Sequence, residues 1–326
     1  MRLEEIPRIN YCFLPTPLEK LNTVSKMYNC TILIKRDDLT GHCFGGNKER
    51  KLEFILADAV KNNATVIVTV GALQSNHCRM TTSIATSLGF KVELILISDG
   101  DEELEREGNY FLDVLMGAKI HIVTPNKVQN KIAELMDHLR KNGEKPYFIE
   151  GGGHNVLGTI GYIYAIEEIK RQTAEIGLTP DCILLPTGTG TTQAGLILGS
   201  RLLHYDVEII GISVARKTER CVTEIATTIR NTGEYLGVDT AHYDSYIRVY
   251  DEYIGQAYGI PTGASMETLQ LMAHKEGLIL DPIYNAKAAA GMFNLISKGE
   301  LSGNVIYWNT GGLPALFTEK YYSWPM

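Results

Sequence analysis

From residue 184 to residue 196 the chain reads LLPTGTGTTQAGL: an apolar run ending in proline, then Gly188, Thr189, Gly190, Thr191 and Thr192, then a helical pattern. A buried strand feeding a helix through small residues is the junction at which open α/β sheets bind ligands. Backbone N–H groups at the helix start and three hydroxyls converge there, as an anionic phosphate requires. The spacing fits neither G-x-x-x-x-G-K-[ST] nor G-x-G-x-x-G, because Gln193 stands where the latter needs its third glycine. A bare tight turn is the plain alternative.

The pattern recurs along the chain. Apolar, β-branched runs at 65–70, 92–97, 182–186, 207–214 and 304–308 predict buried parallel strands. Helical periodicity covers 50–63, 78–89, 130–143 and 194–205, so strands and helices alternate and predict open doubly wound sheets under helices. The acidic segment 99–108 reads as a solvated loop or helix start, and 232–253 as an edge strand flanked by loops. No repeat, low-complexity stretch or Pro/Ser-rich linker separates two halves, so any two lobes are intertwined.

Composition narrows the function. With 326 residues, 44% of them hydrophobic, the chain can bury a large core, and its net charge of -7 argues against general nucleic-acid binding. Six scattered cysteines, without C-x-x-C or zinc spacing, fit a reducing cytoplasm and predict no metal. No apolar run reaches the ~18–20 residues of a membrane span, and the N-terminus lacks the apolar core of a signal peptide.

Two more junctions carry polar side chains. VTVGALQSNHCRMTT (68–82) brings Ser75, Asn76 and His77 to a helix start, where an N-cap is the plain reading. VIYWNTGGLPALF (305–317) ends a strand in Thr310 and two glycines. Between these lies GGNKERKLE (45–53), in which Lys48 and Lys51 share one helical face. A surface pair is the plain reading. A lysine buried there beside a like charge loses its proton well below the usual ~10.4 and becomes a nucleophile. A neutral lysine, a phosphate cradle and intervening amide and hydroxyl groups match pyridoxal 5′-phosphate.

These residues resemble the D-cysteine desulfhydrase and 1-aminocyclopropane-1-carboxylate deaminase group of fold type II pyridoxal-phosphate enzymes. The resemblance runs through PTPLEKL, IKRDDLTG, GGNKERKLEF, GALQSNHCR, GTIGY, TGTGTTQAGL, YGIPT, EGLILDPIYNAKAAAGM and NTGGLPALF. It implies a tryptophan synthase β-like α/β fold of two open doubly wound sheets with helices on both faces. A small lobe of residues 49–157 would be inserted into a large cofactor-binding lobe of 1–48 and 158–326. It makes Lys48 the Schiff-base lysine, puts Asn76 at the cofactor's phenolic oxygen and Gly188 to Thr192 on the phosphate, and faces Thr310 to the pyridine nitrogen. Ser75 and His77 would flank the substrate, Tyr284 would stack on the pyridine ring and Tyr258 would reach the substrate. Each tyrosine alone reads as a core aromatic, since the chain has 17.

A neutral hydroxyl opposite the pyridine nitrogen makes a weak electron sink, which favours prompt loss of a β-substituent. The resemblance therefore implies a lyase. Lys48, released by the substrate amine and aided by Ser75, would take the α-proton; D-cysteine would then yield pyruvate, ammonia and hydrogen sulfide. His77 fits desulfhydrase-like members. Asn285 stands where they commonly carry Thr and the deaminases Glu. IEGGGHNVLG (149–158) departs from both groups, and Gly153 with His154 suggests recognition of an acidic substrate, as in an L-cysteate sulfo-lyase, or else a solvent-facing turn. The resemblance implies a homodimer. A non-catalytic pyridoxal-phosphate carrier or sensor is the alternative of another class, although it need not keep Ser75, Tyr258 and Tyr284.

Overall fold

The computed structural model describes residues 3–98 and 105–324. The strands are β1 (Leu18–Lys20), β2 (Thr31–Arg36), β3 (Val66–Ala72), β4 (Lys91–Ile97), β5 (Lys119–Val123), β6 (Pro146–Ile149), β7 (Cys182–Thr187), β8 (Glu208–Ser213), β9 (Arg248–Tyr250) and β10 (Asn304–Asn309). The helices are α1 (Asn22–Tyr28), α2 (Asn47–Lys61), α3 (Asn76–Ser87), α4 (Gly108–Leu115), α5 (Val128–Lys141), α6 (Val156–Glu175), α7 (Thr191–Leu202), α8 (Thr218–Leu236), α9 (Gly263–Glu276), α10 (Asn285–Ser297) and α11 (Glu319–Tyr322).

Two sheets result, a six-stranded one in the order β1-β2-β10-β7-β8-β9 and a four-stranded one in the order β5-β4-β3-β6. Among the described residues only the β1–β2 pairing is antiparallel. Strand alternation sends successive side chains to opposite faces. On the large sheet Leu33, Ile183, Leu185, Ile209 and Ile306 pack under α6, α7 and α8. Ile32, Ile34, Leu184, Ile210 and Tyr307 pack under α1, α9 and α10. On the small sheet Ile67, Leu94 and Leu96 meet α2 and α3, while Val66, Val68 and Ile95 meet α5. Apolar residues on both faces are why these strands read as continuous hydrophobic runs.

The five expected strands all form. The four expected helices begin two or three residues earlier than their apolar pattern, because their first turns, opening at Asn47, Asn76, Val128 and Thr191, are largely polar. Of the segment expected to hold an edge strand at 232–253, α8 takes the part up to Leu236, and β9 is the edge strand of the large sheet. Of the acidic segment 99–108, residues 99–104 lie outside the described residues, and α4 starts at Gly108.

Helix α2 joins the two layers. Its Leu52, Ile55 and Leu56 belong to the core of the small sheet and its Phe54 to that of the large one. Two residues after Lys48, Arg50 is buried in an ion network: Nη2 lies 2.8 Å from Asp37 and Nη1 2.9 Å from Glu168. Asp37 also accepts from Tyr162 Oη at 2.6 Å and from Trp308 Nε1 at 2.8 Å, and Glu168 pairs with buried Lys35. One carboxylate thus ties the lysine helix to β10, the strand that Thr310 follows.

Candidate active site

The C-terminal ends of β3, β7 and β10 and the start of α2 converge. Helix α2 is held there by its backbone: Asn47 N donates to Thr310 O at 3.0 Å. The turn after β10 passes so close that a Cβ on Gly311 would lie 2.8 Å from Gly46 Cα, so only glycine fits. The side chain of Asn47 bridges the same junction to the next one, accepting from Lys48 Nζ at 2.9 Å and donating to Thr192 Oγ1 at 3.1 Å. Asn47 received no role in the sequence reading; its place between a glycine pair and the lysine at a helix start was the available signal.

Lys48 is partly enclosed, and burial lowers its pKa from 10.5 to about 8, with Asp281 opposing and Arg79 assisting. The like-charge effect falls on the other partner: Lys51 is itself buried, driven well below the ordinary lysine value first by burial and then by the charge of Lys48. Its Nζ donates to Gly152 O at 3.1 Å. The Lys48 amine lies 5.8 Å from the centroid of the Tyr284 ring.

At the N-terminus of α3, Ser75 is the cap, its Oγ accepting from Cys78 N at 3.2 Å. Asn76 Oδ1 accepts from buried Asn109 Nδ2 at 2.9 Å, which turns the Asn76 amide so that its Nδ2 donates elsewhere. That Nδ2 borders a space kept open by Gly312: a Cβ there would lie 2.7 Å from it and 3.0 Å from Asp281 Cγ. His77, expected beside the substrate, turns inward. Its ring is 3% exposed, bonded through Nε2 to Thr69 Oγ1 at 2.9 Å and through Nδ1 to Thr81 Oγ1 at 3.5 Å. Burial, with Lys48 and Lys51 adding to it, lowers its pKa to about 3, so the ring is a neutral brace between α3 and β3.

The Gly188–Thr192 loop opens against the ring of Tyr284, a Cβ on Gly188 lying 4.0 Å from Cε1, and ends at α7, whose N-cap is Gly190. Thr189 and Thr191 hydroxyls are 3.3 Å apart. His154 also departs from expectation. The turn through Gly153 carries it to this loop, where Nδ1 lies 2.6 Å from Thr191 Oγ1. Gly153 itself packs on Lys51, a Cβ there lying 3.4 Å from Lys51 Cδ.

Thr310 sits where β10 ends, 6% exposed, donating through N and Oγ1 to Asn285 Oδ1 at 2.9 and 3.3 Å. Asn285 Nδ2 donates to Asp281 Oδ1 and Gly311 O, both at 2.6 Å. Buried Asp281 also accepts the N–H groups of Ile283, Tyr284 and Asn285, so both oxygens carry two donors and none is left for a ligand. Tyr284 Oη and Tyr258 Oη are 2.5 Å apart with rings at 68°. Burial raises both phenols, which keeps them protonated near neutrality.

These residues fit pyridoxal phosphate: a lysine of lowered pKa faces an aromatic ring, a helix N-terminus rich in hydroxyls adjoins that ring, and an amide donor edges a space that any Cβ would fill. Asn47, Asn109 and Asp281 complete the site and were not predicted. Asn47 and Asn109 act through contacts between segments distant in sequence, whereas Asp281 binds the N–H groups of the turn that follows it.

Comparison with known proteins agrees. The family model described as pyridoxal-phosphate dependent enzyme matches residues 9–311. The chain is 40% identical over 318 residues to a putative 1-aminocyclopropane-1-carboxylate deaminase of Pyrococcus furiosus, spanning 97% of this chain and 94% of that protein. It is 34% identical over 322 residues to a D-cysteine desulfhydrase of Serratia proteamaculans, 97% of each chain being covered. A crystal structure of an ACC deaminase homologue superposes with a TM-score of 0.89 at 36% identity, covering 97% of this chain and 94% of that one.

Proposed function

The chain belongs to the pyridoxal-phosphate dependent enzyme family, and from that premise we propose that it is a D-cysteine desulfhydrase, eliminating a β-thiol to give pyruvate, ammonia and hydrogen sulfide. Its relatives make it a lyase or deaminase of the 1-aminocyclopropane-1-carboxylate deaminase and D-cysteine desulfhydrase type. The observation that carries the choice of substrate is Asn285. A carboxylate at this position belongs to the deaminases; here a neutral amide is committed to Thr310, Asp281 and Gly311. The one carboxylate nearby, Asp281, has no free lone pair.

When bound, pyridoxal phosphate supplies an electron sink for the pair left at the substrate α-carbon. The chain supplies the rest. Lys48 holds the cofactor and, once free, takes the α-proton at Nζ, a role its lowered proton affinity suits near neutrality. Ser75 lies at the N-terminus of α3, where its hydroxyl and the unpaired first-turn N–H groups orient the substrate carboxylate. Asn76, aimed by Asn109, holds the phenolic oxygen. The residues Gly188, Thr189, Gly190, Thr191 and Thr192 hold the phosphate, and Thr310 faces the pyridine nitrogen. Tyr284 would pack against the cofactor ring, and Tyr258, bonded to it, would deliver a proton to the departing sulfur.

Under this reading residues 49–157 form a small lobe against a large lobe of 1–48 and 158–326. The enzyme works as a homodimer in the cytoplasm, where its free thiols persist. Deamination of 1-aminocyclopropane-1-carboxylate is the second reading, favoured by the 40% identity to the Pyrococcus furiosus relative. The L-cysteate alternative loses its support, because His154 is bonded to Thr191.

The test is 2-oxo acid and sulfide release from D-cysteine, L-cysteine, L-cysteate, β-chloro-D-alanine and 1-aminocyclopropane-1-carboxylate. Pyruvate and sulfide from D-cysteine, without 2-oxobutanoate from the cyclopropane, is the expected result. Turnover of the cyclopropane amino acid in preference to D-cysteine would reverse the assignment.

A further inference from the structure

His154 stands at a position where the family resemblance leads one to expect serine, and its ring is 29% exposed. It follows a turn in which Gly153 N donates to Glu150 O at 2.9 Å, and Nδ1 meets Thr191 Oγ1 at 2.6 Å. Nε2 lies 3.8 Å from Glu224 Oε2. The groups facing the ring are Lys51 from α2, Glu150 from the turn, Arg216 from the loop after β8, and Glu224 from α8. Arg216 and Arg220 both approach Glu224, at 3.8 and 3.9 Å.

The chemistry follows from one hydroxyl proton. Glu224 favours the tautomer with hydrogen on Nε2, leaving Nδ1 a lone pair. Thr191 must then donate its proton to His154 and present only lone pairs to an anion in the Gly188–Thr192 loop. When the imidazole is protonated, Nδ1–H donates to Thr191 Oγ1 and the hydroxyl proton is released toward the anion. The ring's own surroundings, chiefly burial and then Lys51, lower its proton affinity, so the neutral form prevails at pH 7 without a ligand.

We propose that His154 sets the direction of the Thr191 hydroxyl, so that the loop's grip on the cofactor phosphate tightens as His154 gains a proton. His154 is a positioning residue acting through Thr191, and the inference rests on reading this loop as the phosphate site. By linkage, phosphate binding raises the proton affinity of His154 and takes up a proton.

The test measures the affinity of the cofactor-free protein for pyridoxal phosphate, for phosphate-free pyridoxal and for competing inorganic phosphate at about pH 5.5 and about pH 8, on either side of the ordinary histidine range. The phosphate's own second proton, lost near pH ~6, is common to every variant and cancels in comparisons. Wild type should prefer the phosphorylated ligand by roughly tenfold more at the lower pH, the worth of one hydrogen bond to a charged group. His154→Ala and, independently, Thr191→Val should lose that pH-dependent increment. His154→Gln, a donor that does not titrate, should bind with the wild type's low-pH preference at both pH values. Equal pH dependence in wild type, His154→Ala and Thr191→Val overturns the inference. No preference for the phosphorylated ligand at either pH in wild type overturns the loop assignment itself.

Discussion

Replacing Lys48 with methionine should stabilise the cofactor-free protein. The amine keeps its proton up to 10.5 in an unfolded chain but only to about 8 in the fold, burial being the main cause. At about 1.4 kcal/mol per tenfold change in proton affinity, charging the folded state costs about 3 kcal/mol. Partial exposure of the side chain and loss of its bond to Asn47 reduce the expected gain to about 2 kcal/mol. The sign follows from proton counting. Below pH 8 both states hold the proton and the full cost is present; between about 8 and 10.5 only the unfolded state holds it, and the cost fades. Urea unfolding of the cofactor-free wild type and Lys48→Met at about pH 7 and about pH 9.5 reads this directly. The methionine variant should be the more stable at the lower pH, with its advantage shrinking at the higher. A variant of equal or lower stability at the lower pH, or an advantage that does not shrink, would mean that the amine is not held against its solvation preference, and the account of its reactivity would fail.

Three further outcomes follow from the contacts. Asp37→Asn should lower unfolding free energy by about 3–5 kcal/mol, since it leaves buried Arg50 without its closest carboxylate; denaturant unfolding measures it. Asn109→Ala should weaken cofactor binding about tenfold, because Asn76 would lose the partner that aims it, and should lower unfolding free energy by about 1–3 kcal/mol, because Gln74 O loses the same donor; a titration and denaturant unfolding of the cofactor-free protein check this. Tyr258→Phe should lower kcat for D-cysteine about tenfold or more while leaving cofactor affinity and KM near the wild-type values, as expected for a proton donor used only after substrate is bound.

The sheet strands were legible because parallel strands buried on both faces leave unbroken β-branched runs, as at 65–70 and 182–186. The short strands β1, β5 and β6 were not, since nearly all of their residues are exposed or only partly buried and LEK, KIHIV and PYFI carry no such run; β2 was not either, although four of its six residues are buried, because its apolar run is short and gives way to Lys35 and Arg36. Lys48 and the glycine-threonine loop stood out as local patterns at helix starts. The partners of those residues did not. Asn109 reaches Asn76 across 33 positions through the packing of α4 on α3, and Asn47 reaches Thr192 across 145 through the approach of α2 to α7. The bonds of His77 and His154 were hidden for the same reason: one ring meets threonines of β3 and α3 and the other Thr191.

Which amine carries the cofactor decides the chemistry, and among the described residues burial lowers the pKa of four lysines, Lys35, Lys48, Lys51 and Lys287. Lys35 pairs with Glu168, Lys51 donates to Gly152 O, and Lys287 to Ile254 O and Ala257 O. Of the four, Lys48 faces the Tyr284 ring beside the Gly188–Thr192 loop. Borohydride reduction of the cofactor-loaded protein, followed by peptide mass mapping, should place one phosphopyridoxyl group on Lys48. The same group on Lys51 or Lys287 with Lys48 unmodified would contradict the account.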